Sequence, residues 1–221
     1  MSVHTVEAAI RLRRHHVWMA AAPLSAAQFC ATLNERIGIG LLEGGTNSLI
    51  NLHNANVPVR RDASGRVHPM PGREGHPITG VTYLGARLVA EAMGGRLPTI
   101  AEWEDAAGAD LGWVYPWGNE PPSASLANYG ELVGATTVPG TYPPNQFGFW
   151  DLAGNVSEWC VRSHSDSFDV PRVPGLGLAL GGAWNKYTGA LATRHVRLHW
   201  QRMGAVSIGV RVVFDAPPDA Q

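Results

Sequence analysis

The chain has 221 residues, 17 basic and 18 acidic side chains and a formal net charge of −1, and 45% of its residues are apolar. That is enough for one domain with a sizeable core, and no apolar run approaches the roughly 20 residues of a membrane helix, which argues against membrane insertion, a collagen and a disordered chain. The 26 Gly, 16 Pro and 8 Trp set against 16% charged residues predict many turns and short elements pinned by large aromatic anchors.

A basic patch from Arg11 to His16 precedes an apolar stretch at 17–24 and superficially resembles the start of a signal peptide. The stretch holds few strongly apolar residues and runs straight into a well-signalled helix, so it is read as part of the domain, with the cytoplasm as the default location. That helix begins at Ser25, where Ser25-Ala-Ala-Gln28 is a capping box; Phe29, Leu33 and Ile37 follow at helical spacing, and Gly38 and Gly40 end it. Residues 44–77 predict loops and short strands, with Asp62-Ala-Ser-Gly65 as a hairpin turn between Val57-Pro-Val-Arg60 and Arg66-Val67.

A second helix is predicted over 82–93, with Leu84, Leu88, Val89 and Ala92 on one face and Gly94-Gly95 as its stop. In a third, Thr99 caps, Glu102 closes a capping box, Trp103, Ala106 and Ala107 form the buried face and Gly108 ends the helix. Loops and strands follow, with Trp103, Trp117, Trp150 and Trp159 as core anchors. A last strand is predicted at 208–214, where Ile208, Val210, Val212 and Phe214 alternate with Gly209, Arg211 and Val213. Neither a repeat nor a linker interrupts the chain, so 1–221 reads as a single domain.

Six blocks occur in order: His76-Pro-Ile-Thr-Gly-Val81, Gly95-Arg-Leu-Pro-Thr-Ile-Ala-Glu-Trp-Glu104, Tyr115-Pro-Trp-Gly118, Pro143-Pro-Asn145, Gly154-Asn-Val-Ser-Glu-Trp159 and Gly181-Gly-Ala-Trp184. Together they resemble the formylglycine-generating-enzyme (sulfatase-modifying factor) family across most of the chain. The resemblance implies an α+β, elaborated C-type lectin fold: irregular, with small antiparallel sheets around a central twisted one and two or three helices. Fold does not decide chemistry. The family's oxidases hold copper through two cysteines placed after the Gly-Gly-Ser-Trp-like segment. Residues 184–206 contain no cysteine here, and Met203 is their one soft donor. The chain's two cysteines, Cys30 and Cys160, lie elsewhere and are expected as free, buried thiols. No copper, and no formylglycine formation, is therefore expected.

The resemblance also implies a structural calcium (Ca2+) loop at Asp151-Leu-Ala-Gly154-Asn-Val156-Ser-Glu158, ligated by the side chains of Asp151 and Glu158 and the carbonyls of Gly154 and Val156. Two carboxylates and backbone oxygens suit a hard cation. The alternative is a turn in which Asp151 and Glu158 only hydrogen-bond. The family's other calcium loop, after Asn128, is shortened and keeps Glu131 without a following Asp. Another branch of the family holds iron through three histidines with the help of a second domain. The histidines here, at 4, 15, 16, 53, 68, 76, 164, 195 and 199, offer no such spacing. His195 and His199 on one strand face would stand about 13 Å apart, too far to share an ion.

The stretch from Gly181-Gly182 through Trp184, Gly189-Ala190 and Leu198 to Ile208-Gly209-Val210-Arg211 is similar to the variable repeat of diversity-generating retroelement proteins, in which a reverse transcriptase rewrites selected codons while scaffold codons persist. The resemblance implies a diversified surface within 184–207. Val196, Leu198 and Trp200 alternate with His195, Arg197 and His199, as in an extended segment with one packed and one wet face. The candidate contact residues are Trp184, Asn185, Tyr187, Thr193, Arg194, His195, Arg197, His199, Trp200 and Arg202, because polar aromatics and Arg combine large area with directed hydrogen bonds. The alternative is a core strand whose polar side merely faces water.

From 170 to 214 there is no Asp or Glu, against Arg172, Lys186, Arg194, Arg197, Arg202 and Arg211, a local surplus that favours an anionic ligand. Arg211, between Val210 and Val212, reads as scaffold. Nucleic acid is disfavoured, since no binding motif is present and the pI is about 6.7. The expected function is non-enzymatic recognition of a protein or other macromolecular ligand. The alternatives are a metal-dependent oxidase or oxygenase of the same family and a catalytically inactive paralogue that binds an enzyme partner.

Overall fold

The computed structural model describes residues 8–38, 48–163 and 171–218. His4, Gly40, residues 44–47 and His164, named above, lie outside them. Strands β1 (Ala9–Arg11) and β2 (Trp18–Ala20) open the chain as an antiparallel pair. β2 is the middle strand of its sheet, with Met19 and Ala20 buried, so part of the stretch at 17–24 is core structure.

Helix α1 (Ala26–Thr32) starts at Ser25 with both halves of the predicted capping box formed, Gln28 N–H donating to the Ser25 hydroxyl and Ser25 N–H to the Gln28 carbonyl. It runs into a wider π-turn at Leu33–Ile37 that stops at Gly38. Strands β3 (Val59–Arg61) and β4 (Val67–Pro69) form the hairpin, tied by Asp62, whose carboxylate accepts from the backbone N–H groups of Ser64 and Arg66.

Helix α2 (Tyr83–Ala92), capped by Thr82, buries Gly85, Ala86, Val89 and Ala90; of the predicted stripe only Val89 is fully buried, while Leu84 and Leu88 pack half-buried on the same cluster and Ala92 is half-buried. The reason is close approach: a Cβ on Gly85 would stand 2.1 Å from the Leu49 carbonyl oxygen, so the smallest side chains take the contact. Helix α3 (Ile100–Ala107) carries the Thr99–Glu102 capping box and ends at Gly108 in the left-handed conformation, φ 77°. The helices therefore number three among the described residues, against the two or three implied.

Strands β5 (Ser157–Cys160), β6 (Leu176–Leu180), β7 (Arg197–Trp200) and β8 (Ile208–Gly209) form a sheet in the order β7-β6-β5-β8, and β9 (Val213–Phe214) joins β2 in the other. The β5–β8 pair is parallel, so this sheet is mixed rather than purely antiparallel. The predicted last strand is thus two strands in two sheets. Its alternation survives, but both sides are buried: Ile208, Val210, Val212 and Phe214 join one apolar cluster with Phe29, Val89 and Trp159, and Val213 joins the other with Met19, Ile100 and Trp103. Trp103 and Trp159 are fully buried, whereas Trp117 and Trp150 are half-buried. Both cysteines are buried and unbridged, and burial pushes the Cys30 thiol up to about 12.

Candidate ligand-binding surface

The stretch 184–207 is a ribbon pinned at intervals. Trp184 is 8% exposed, and its indole N–H donates to the Val206 carbonyl at 3.1 Å, tying the two ends together. Thr193 is 1% exposed; its N–H reaches the Val114 carbonyl at 2.8 Å and its hydroxyl the Trp113 carbonyl at 2.8 Å. Leu191 is fully buried, and Gly204 lies so close to Gly80 that a Cβ would stand 1.7 Å from its carbonyl oxygen. Trp184 and Thr193 were expected on the contact surface and are instead parts of the frame. Both pair an apolar body with one hydrogen-bonding group that the interior satisfies.

Between these anchors the remaining candidates reach solvent, apart from the buried side-chain oxygen of Asn185. Tyr187, Arg194, Trp200 and Arg202 are exposed, and Asn185, His195, Arg197 and His199 are half-buried. Val196 and Leu198 pack on the cluster around Trp103 as the alternation predicts, but Trp200, at the end of β7, is 56% exposed. β7 is the edge of its sheet, paired only with β6 among the described residues, with Arg197 opposite Ala179 and His199 opposite Gly177. Tyr187 meets the His195 ring edge-on at 6.2 Å.

On one face of β7, His199 leans on Trp159 with ring centroids 5.9 Å apart, and its Nε2 donates to the Met203 carbonyl at 3.0 Å. Arg197 donates to the Ser207 hydroxyl at 3.3 Å. Burial holds the Arg197 guanidinium below its ordinary value. Burial and the Arg197 charge lower the Lys186 ammonium, against a pull from Glu131. Burial, Arg197 and Lys186 together lower the His199 imidazole. No carboxylate among the described residues forms an ion pair with Lys186, Arg194, Arg197 or Arg202.

The sixth cation of the surplus behaves differently. Arg211 is 0% exposed, and its Nε and Nη2 bind both oxygens of the equally buried Glu158, at 2.7 to 3.0 Å. Its remaining donors reach the carbonyls of Ala20 and Trp150, and the Trp103 indole donates to Glu158 Oε2 at 2.8 Å. This bears on the calcium expectation. Three N–H groups already bind the Glu158 oxygens, Arg211 Nε shared between the two, Arg211 Nη2 on Oε1 and the Trp103 indole on Oε2, and a guanidinium occupies the side a dication would need. Gly154 and Val156 are buried with it. Asp151 accepts from the Asn155 side chain at 2.9 Å, and burial pushes its carboxyl up to about 6. Glu158 is thus committed to Arg211 and Trp103, and Asp151 and Glu158 hydrogen-bond as in the alternative reading. Nor are three His, Cys, Asp or Glu side chains grouped to hold a metal ion among the described residues.

The Glu158–Arg211–Trp103 cluster is what the sequence reading missed as a unit. Its signal was an arginine inside an apolar run, which cannot be buried without a carboxylate.

Residues 4–216 match the model of the sulfatase-modifying factor enzyme 1-like domain. The chain belongs to this family. Among curated relatives, the serine/threonine-protein kinase pkn1 of Chlamydia pneumoniae is 38% identical over 173 residues, covering 73% of this chain and 27% of that protein. The formylglycine-generating enzyme of Streptomyces coelicolor is 35% identical over 141 residues, covering 54% of this chain and 44% of that one. The sulfatase-modifying factor domain described here thus spans less than half of either relative. Among solved structures, Treponema denticola variable protein 1 superposes with a TM-score of 0.63 at 15% identity, covering 95% of this chain and 92% of that one. The fold is the mixed α+β, C-type lectin-like fold that this family shares with variable proteins.

Proposed function

We propose that this sulfatase-modifying factor domain is a non-enzymatic recognition module whose contact side chains, between 184 and 207, are diversified by a retroelement. The observation that carries the reading is the division of labour along the ribbon. Trp184, Leu191, Thr193 and Gly204 are held by the frame, while Tyr187, Arg194, Trp200 and Arg202 reach solvent, so exchange at the second set leaves the first in place. The likeness of fold to a variable protein supports it, as does the absence of cysteine from 184–206.

A macromolecular ligand fits better than a small molecule. The cavity of about 510 Å³ lined by Tyr83, Arg172, Gly175 and Gln201, and the smaller one beside Trp117 and Asp151, include none of the candidate contact residues. The contact set is an aromatic and cationic ribbon, suited to a protein surface.

The test is genomic and then functional. A near-copy of the coding sequence for 184–211, differing at adenines and lying beside a reverse transcriptase gene, is expected. Its absence from the complete genome overturns the diversification reading. Sibling genes from one population should differ at the codons for 187, 194, 200 and 202 and agree at those for 184, 191, 193 and 204; the reverse pattern overturns it equally.

A further inference from the structure

Resting on the recognition reading, we infer that Lys186, Arg197 and His199 form one subsite for the carboxylates of an acidic protein segment, flanked by the exposed side chains of Tyr187 and Met203. Arg197 and His199 share a face of an edge strand. Trp184, two residues before Lys186, is tied to Val206, and Arg197 is tied to the adjacent Ser207, which brings the Lys186 segment to the same neighbourhood; the Arg197 charge lowers Lys186 and His199, and Lys186 lowers His199 as well. Half-desolvated like charges are costly unless a counter-charge joins them. The protein brings them together without one: Glu131 acts on Lys186, but no carboxylate among the described residues pairs with any of the three.

The donors are poised for an acceptor. Arg197 has five N–H groups and uses one, toward Ser207, among the described residues. A carbonyl can only accept, so the His199–Met203 contact places the proton on Nε2; Nδ1 is then an acceptor and becomes a donor to a carboxylate only when the ring takes up a second proton. A guanidinium fork binds a carboxylate through two parallel hydrogen bonds, and an adjacent ammonium or imidazolium adds charge. Tyr187 is 66% and Met203 57% exposed, which offers apolar area to the residues flanking such a carboxylate.

A protein segment suits the surface better than a nucleic acid. The whole chain carries −1 although this ribbon is cationic, so the rest of the molecule has an acidic excess that repels an extended polyanion while a short acidic segment stays on the patch.

The test is titration of the full chain with an N-acetylated, C-amidated tetraglutamate peptide at low ionic strength, followed by Trp fluorescence and by the His199 imidazole resonances. Tetraglutamate should bind and raise the His199 pKa, and tetraglutamine should not. Arg197→Gln and Lys186→Gln should each weaken binding about tenfold, and Arg60→Gln, the same charge change on the separate β3–β4 hairpin, less than about twofold. Thermal unfolding of each variant checks its fold, and Lys186→Gln carries the test if Arg197→Gln is unstable. Equal loss in all three variants, an unmoved His199, or tighter binding of inorganic phosphate or oligo-dT overturns the subsite. None of these outcomes bears on the adenine-variable template, and a missing template leaves the titration standing, so the two readings fail separately.

Discussion

Arg211 and Arg197 lie in the same carboxylate-free stretch, yet they do opposite work. Arg211 is sealed between two apolar clusters, bound on both edges by Glu158 and by the carbonyls of Ala20 and Trp150, and joins four segments of the fold. Arg197 sits half-buried on an edge strand with one hydrogen bond, to Ser207, and no carboxylate pair among the described residues. Charge that is neutralised inside serves rigidity, whereas charge left unpaired at an edge is available to a partner. The surplus of six cations read from sequence is therefore five outside and one within.

The sharpest way to break this contrast is to remove one member of the buried pair. Glu158→Ala strands the Arg211 guanidinium and should cost about 3–5 kcal/mol in denaturant unfolding, or prevent folding altogether. A loss below about 1 kcal/mol would mean that water reaches Arg211 and the hub is not sealed. Trp103→Ala, which empties the space beside the pair and removes its hydrogen bond to Glu158, should cost about 3–5 kcal/mol in the same assay.

Smaller effects probe the frame beneath the ribbon. Gly204→Ala pushes a methyl into the Gly80 backbone and should cost about 1–3 kcal/mol, although residue 204 lies inside the candidate stretch 184–207. Asp151 tests the loop beside Glu158 by pH. Its native carboxyl, near 6, holds a proton that the unfolded chain releases near 3.8. Its contribution is thus fully present below the lower value and lost as pH rises through the higher one. Asp151→Asn should flatten that window and raise stability at neutral pH by about 1–3 kcal/mol, read from Tm against pH. At the other end, changing Arg194, His195, Arg197 and His199 together to Ala should shift stability by less than about 1 kcal/mol while abolishing tetraglutamate binding. A large loss of Tm would place those side chains in the frame.

The helix starts were legible because their causes are local: Ser25 with Gln28 and Thr99 with Glu102 satisfy N–H groups within one turn. The Asp62 hairpin and the stop at Gly108 have causes of the same kind. Trp103 and Trp159 were legible as anchors from size, and the family from its ordered blocks. The buried face of α2 was legible only in part, through Val89, since its centre depends on where the Leu49 backbone passes. Trp184 and Thr193 looked like contact residues because type and exposure-friendly chemistry are all that a one-dimensional pattern offers.

What separates the two sets is the range of the forces. Capping, turn geometry and apolar periodicity act over a few residues and are written in order along the chain. Partners such as Glu158 for Arg211, Val206 for Trp184 and Trp113 for Thr193 are 53, 22 and 80 positions away, brought together only when the apolar clusters close. Which charge is neutralised and which is left for a ligand is therefore a property of packing, because desolvation assigns the cost and only the folded chain decides what is desolvated.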